Sequence, residues 1–160
     1  MCRMPSGPNP PSFACDRNLG RLAKWLRLMG FDTLYLRDDD PHRLLGAALS
    51  GRIVLTRRRA LRGRPGVVVV ERDRALDQVR EVVSSLGLEG PLDAFSRCSL
   101  CNEPLVEETP EGVSGLVPDH VLATRDRFAR CPSCGRVYWK GTHLDRARGT
   151  MEAVFRDREP

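Results

Sequence analysis

The sequence predicts an α/β domain with a mainly parallel sheet, flanked by helices and followed by a small cysteine-rich module. Three observations lead there. Short apolar runs alternate with stretches of helical periodicity from residue 13 onward. Two of those runs, Ile53-Val54-Leu55-Thr56 and Val67-Val68-Val69-Val70, are continuously apolar in the way of strands covered on both faces. Finally, Cys98-x-x-Cys101 is answered by Cys131-x-x-Cys134.

Residues 1–12 carry Pro5, Pro8, Pro10 and Pro11 with Gly7 and Asn9, a composition that neither helix nor strand can use, and they are expected to be disordered. Phe13-Ala14-Cys15 reads as a short buried strand that runs directly into a helix. Leu19, Leu22, Ala23, Leu26 and Met29 recur at helical spacing and define its apolar face, and Gly30 ends it. Arg17, Arg21, Lys24 and Arg27 fall on the other side as a cationic stripe, either a solvated face or a phosphate-contacting one.

Thr33-Leu34-Tyr35-Leu36 is the second strand. Asp40 then supplies an N-cap side chain, with Pro41 at the first position of a short helix that runs to Leu49 and stops at Gly51. The third and fourth strands enclose the densest basic segment of the chain, from Arg57 and Arg58 through Arg62 to Arg64. A last helix, from about Arg74 to Leu86, buries Leu76, Val79, Val82, Val83 and Leu86. Strand, helix, strand, helix, strand, strand, helix is the order of an α/β domain. Its expected span is 13–92, with the cysteine module and a C-terminal segment at 93–155.

The paired cysteines point to a tetrahedral Zn²⁺ site. Two residues between cysteines let a tight turn aim both sulfurs at one ion, and the second pair closes the coordination sphere. Cys98, Cys101, Cys131 and Cys134 would fill all four positions, leaving none for a reacting water, so the ion would be structural. Two disulfides or a redox Cys-x-x-Cys are the alternatives. Cys2 falls in the proline-rich tail and Cys15 in an apolar strand, so both read as unligated.

Composition narrows the partners. Lys and Arg number 26 against 21 Asp and Glu, a net charge of +5 that favours a polyanionic ligand such as RNA or DNA. No apolar run approaches the length of a membrane span, and the beginning of the sequence lacks a secretory signal's apolar segment, so a cytoplasmic address is expected. Around the cysteines, Phe128, Tyr138 and Trp139 offer planar surfaces for unpaired bases, or else pack the module onto the α/β domain.

In open parallel sheets, ligands collect beyond the carboxyl ends of the strands. Asp16 follows the first strand there, Asp38, Asp39 and Asp40 the second, Arg57 and Arg58 the third, Glu71 and Asp73 the fourth. Converging carboxylates repel unless a hard divalent cation neutralises them, which would make this edge a candidate Mg²⁺ or Mn²⁺ site for phosphodiester hydrolysis. Each acid also has a plain structural explanation, since Asp16, Asp40 and Asp73 could cap the helices that follow them.

Several blocks together resemble one family. The run Phe13 to Thr33 (FACDRNLGRLAKWLRLMGFDT), Gly51-Arg52-Ile53-Val54-Leu55-Thr56-Arg57, Ser96-Arg97-Cys98-Ser99-Leu100-Cys101-Asn102 and the stretch Cys131 to His143 (CPSCGRVYWKGTH) are similar to the successive blocks of the Mut-7 C-terminal RNase family, a PIN-like nuclease group. The resemblance covers about residues 13–155. It implies a PIN-like α/β domain followed by a zinc ribbon and a Mg²⁺- or Mn²⁺-dependent ribonuclease activity, with Asp16 matching the first-strand acid as a metal ligand and Asp39 or Asp40 near an acid before the second helix.

One departure matters. After the third strand the family usually reads Leu-Thr-Arg-Asp, whereas this chain reads Leu55-Thr56-Arg57-Arg58. A guanidinium that cannot be deprotonated thus stands where a metal-ligating carboxylate is expected. Apart from the resemblance, Asp73 or Glu71 could supply the missing oxygen if Arg58 turns to solvent, whereas an Arg58 paired with Asp16 would occupy the space of the metal. Two functional readings follow: a ribonuclease in which Arg17, Arg21, Lys24, Arg57, Arg58 and Arg62 hold the RNA backbone, or a non-catalytic RNA-binding protein with a degenerate site. A small-molecule α/β enzyme is disfavoured because no glycine-rich phosphate loop follows the first strand.

Overall fold

The computed structural model of the chain describes residues 10–38 and 40–156. The expected disorder of 1–12 falls largely outside that range, and so does Asp39. Strands β1 (Phe13–Cys15), β2 (Thr33–Tyr35), β3 (Ile53–Thr56) and β4 (Val67–Val69) form a four-stranded sheet in the order β2-β1-β3-β4, and every pairing is parallel. Helices α1 (Gly20–Leu28), α2 (Pro41–Leu49) and α3 (Ala75–Ser85) stand in the predicted positions, with ends displaced by about one residue.

The sequence pattern explains the layering. Side chains alternate across a strand, so Phe13 and Cys15 of β1 and Leu55 of β3 face one side, where they meet Leu22, Leu26, Val79 and Val82 of α1 and α3. Ala14 and Val54 face the other side and pack with Leu44 of α2 and Val67. β1 is fully buried, which is why its three residues tolerate no polar group.

Gly30 closes α1 for two independent reasons. Its φ of +90° lies in the left-handed region, and a Cβ there would come within 2.5 Å of the Asp93 carbonyl oxygen. This close approach lets Leu92 and Phe95 bond the last carbonyls of α1, at Met29 and Leu28.

The cysteine module carries an antiparallel sheet, β5 (Val106–Glu108), β6 (Phe128–Arg130) and β7 (Val137–Trp139), in the order β5-β6-β7, with the one-turn helix α4 (Asp119–Leu122) before β6. Val113, Val117, Val121 and Phe128 form its own small core, against which Trp139 packs. Phe128 is therefore a core residue rather than a surface for bases. The last helix, α5 (Thr142–Arg156), leaves the module and returns to the α/β layer, where Met151 and Val154 join the core beside α3.

Candidate metal centre and sheet rim

Cys98, Cys101, Cys131 and Cys134 bring their sulfurs within 4.8 Å of one another. The two Cys-x-x-Cys turns are built by the same set of bonds. In the first, the Cys98 N–H donates to Glu103 O, the Asn102 N–H to Cys98 O at 2.9 Å, and the Cys101 N–H to Cys98 Sγ at 3.4 Å. In the second, Cys131 donates to Arg136 O, Gly135 to Cys131 O at 2.9 Å, and Cys134 to Cys131 Sγ at 3.5 Å. Each turn ends on a left-handed residue, Asn102 at φ 71° and Gly135 at φ 73°.

The donor set fits Zn²⁺. Four sulfurs about 2.3 Å from one ion in a tetrahedron lie about 3.8 Å apart, and the Cys98 and Cys134 sulfurs are 3.8 Å apart. Burial opposes the Cys98 thiolate, but hydrogen bonds from the Tyr138 hydroxyl and from the Cys101 and Leu100 N–H groups outweigh it and bring its pKa down to about 6. Cys101 goes the other way, up to about 12, through its bond with Cys134, its burial and the negative charge on Cys98. Thiolates packed this closely compete for ionisation, and a dication resolves that competition. Cys15, by contrast, is wholly buried with its thiol pushed up by burial, as an unligated core residue would be.

The first turn is also bolted to the α/β sheet. Arg27, expected on the exposed cationic stripe, is only 7% exposed. Its guanidinium donates to the carbonyls of Thr33, Ser99 and Leu100, the last at 2.7 Å. The carbonyls need a donor, and a long side chain from α1 reaches them; that is why this cation leaves the stripe. Asn102 accepts from the Thr33 N–H at 2.8 Å and donates to Asp32 at 2.7 Å, and Asp32 in turn takes both arms of Arg52. The hydrogen bonds from Arg52 and Asn102 overcome the burial of Asp32 and hold its carboxyl below the ordinary range.

At the carboxyl ends of β1 to β4 the picture differs. Asp16 is 1% exposed, and both its oxygens are engaged: Oδ1 accepts from the Asn18 N–H, and Oδ2 from the Thr56 hydroxyl at 2.6 Å and the Arg57 N–H at 3.0 Å. Thr56 Oγ1 itself accepts from the Arg58 N–H, so the residue that replaces the expected aspartate enters this network through its main chain. Asp40 caps α2 through the His42 N–H, as read from the sequence. Asp73 does not cap α3: the cap position is Arg74 with no side-chain bond, because the Asp73 carboxylate is drawn to Arg57 at 2.8 Å. Glu71 pairs with Arg62, and Asp38 with Arg43.

The acids therefore share a sheet edge without sharing an ion site. Among the described residues, the four cysteines are the group of three or more metal-ligating side chains that could hold one ion. Asp16, Asp40 and Asp73 each answer to a different donor. As they stand, the described carboxylates do not fit Mg²⁺ or Mn²⁺, and Asp39 lies outside the described residues. Of the cations expected on RNA, Arg17, Arg21 and Lys24 are exposed along α1, Arg58 is half-buried, and Arg57 and Arg62 are paired with acids of the same rim.

With the rim and the cysteine centre in place, the comparison with known families decides the relationship. The family model of the Mut7-C RNAse domain matches residues 11–151, which include β1, the rim and both cysteine turns. The chain belongs to the Mut7-C RNAse domain family. No curated protein and no solved structure gives a match. Within this Mut7-C chain, the residues that sequence reasoning missed are those that join elements: Arg27, Asn102, Thr56 and Tyr138. Asn102 carried a signal, since it stands where the second turn has Gly135. The others had none, because their partners are distant in sequence.

Proposed function

We propose that the protein acts on RNA as a ribonuclease, hydrolysing phosphodiester bonds at the sheet edge centred on Asp16, with Zn²⁺ held by the four cysteines as a structural ion. The supporting observation is the family match across the whole sheet together with the position of Asp16. It is a buried carboxylate at the carboxyl end of a central parallel strand, accepting from the Thr56 hydroxyl and the Asn18 and Arg57 N–H groups. Dependence on Mg²⁺ or Mn²⁺ would require the rim acids to turn from their present partners toward one ion, and cleavage in the cytoplasm belongs to the same proposal. Exposed Arg17, Arg21 and Lys24 would lie along the RNA backbone.

A second reading is favoured by one specific observation: every described rim acid already has its own partner, at an edge where the resemblance leads one to expect an aspartate in place of Arg58. On that reading the protein binds RNA without cutting it. The two separate in one experiment on the zinc-loaded chain. Labelled RNA cleavage that appears with Mn²⁺ and disappears in Asp16→Asn supports the ribonuclease. Tight binding without cleavage, converted to cleavage by Arg58→Asp, supports the degenerate site and removes the first reading.

A further inference from the structure

A groove away from the sheet edge brings both tryptophans of the chain together with three cationic side chains. It lies between α1, β7 and the start of α5 and encloses about 670 Å³, within the usual size of a small-ligand site. Both tryptophans of the chain, Trp25 and Trp139, line it, together with Tyr138, one of only two tyrosines. Its cationic lining comes from Arg21, Lys24 and Arg136, and no aspartate or glutamate is among the lining residues.

The rings are held in place. The Tyr138 hydroxyl is tied to Cys98 and Ser99, and Trp139 is backed by the valine core of the cysteine module. Gly141 presents no side chain to the indole, where a Cβ would lie 3.5 Å from its nitrogen. Prearranged planar surfaces flanked by guanidinium and ammonium groups suit a flat, anionic, flexible ligand. A second hollow, beside α3, interleaves arginines with Glu71, Asp73, Asp77 and Glu81 and has no aromatic lining, so it lacks both the stacking surface and the unopposed positive charge.

We propose that this groove is a binding site for single-stranded RNA, in which an unpaired base stacks against Trp25 and Trp139 while Arg21, Lys24 and Arg136 contact the flanking phosphates. The inference rests on the RNA-directed reading above and adds where the substrate is held. RNA laid along α1 would run from the groove toward Arg17 and the Asp16 edge, since α1 begins there. Duplex RNA, whose bases are stacked on each other, has nothing to offer the rings.

The test uses the full zinc-loaded chain without added Mg²⁺ or Mn²⁺. Because both tryptophans line the groove, their emission reports on it when a short oligouridylate is titrated. Ala147→Glu places a carboxylate in the groove, whereas Gly149→Glu adds the same charge nearby on α5, where a new side chain meets open space. The expected result is saturable quenching, weakened at least about tenfold by Ala147→Glu and less than about twofold by Gly149→Glu, as for a loss of base stacking. The proposal is overturned by absent quenching, by equal losses in the two variants, or by equal quenching with duplex RNA. Mn²⁺-dependent cleavage is scored on the same preparations: quenching without cleavage removes the ribonuclease and keeps the groove, and cleavage without quenching does the reverse.

Discussion

The cysteine centre and the carboxylate rim were both expected to gather ligands around a metal, and they turn out to be organised in opposite ways. The four sulfurs face one another, and the main chain around each pair is bent by the same bonds to aim them. The rim acids are each taken up by partners of their own: Asp16 by Thr56 and the Arg57 main chain, Asp40 by the His42 N–H, Asp73 by the Arg57 side chain, Glu71 by Arg62. A thiol has few competing uses in a protein, so paired thiols at short spacing nearly specify their own contact. A carboxylate can cap a helix, pair with arginine or hold a turn, and a rim rich in arginine supplies all of these uses.

Three substitutions would break or sharpen that contrast, in falling order of effect. Cys131→Ser removes one ligand of a shared ion. Structural zinc contributes on the order of 10 kcal/mol in small modules, so the variant is expected to lose its metal and the order of β5 to β7. Elemental analysis would fall from one zinc per chain, and the melting transition would broaden and drop; retention of both would sink the shared-ion arrangement. Asp16→Ala acts on an acid that serves only its own neighbours. It leaves the Thr56 hydroxyl and two N–H groups without an acceptor, at a cost of about 1–3 kcal/mol for such a group. Denaturant unfolding should show that loss with zinc content unchanged. Asp73→Ala touches a pair whose carboxylate is 88% exposed, and exposed pairs are worth about 1 kcal/mol or less. Its melting temperature should stay within about 4 °C of the parent, and a larger drop would show that the rim acids act together after all.

What was legible in the sequence follows the same division. The strands and helices of the α/β layer could be read because each carries its own signal. β3 is apolar up to its last residue, Thr56, and β4 throughout, Asp40-Pro41 begins α2, and Gly30 ends α1 with a backbone angle open to few other residues. The cysteine site could be read from its spacing. Arg27 could not, because its position on α1 suits a solvated stripe, and only the carbonyls of Ser99 and Leu100, more than seventy residues away, reveal its use. Asp73 was misread for a related reason. Capping is a local habit of aspartate, and a nearby guanidinium from β3's end outcompetes it.

The attachment of the first cysteine turn to β2 has a practical consequence for anyone dividing this protein. Arg27 and Asn102 stitch the turn to Thr33, while α5 sends Met151 and Val154 back beneath α3. Excising everything beyond residue 92 would strip two side chains from the hydrophobic interior and strand a desolvated guanidinium beside empty space. The cysteine module is thus a keystone of the larger layer, and if its four sulfurs hold zinc, loss of the ion would be felt at the first residue of a strand that carries no cysteine.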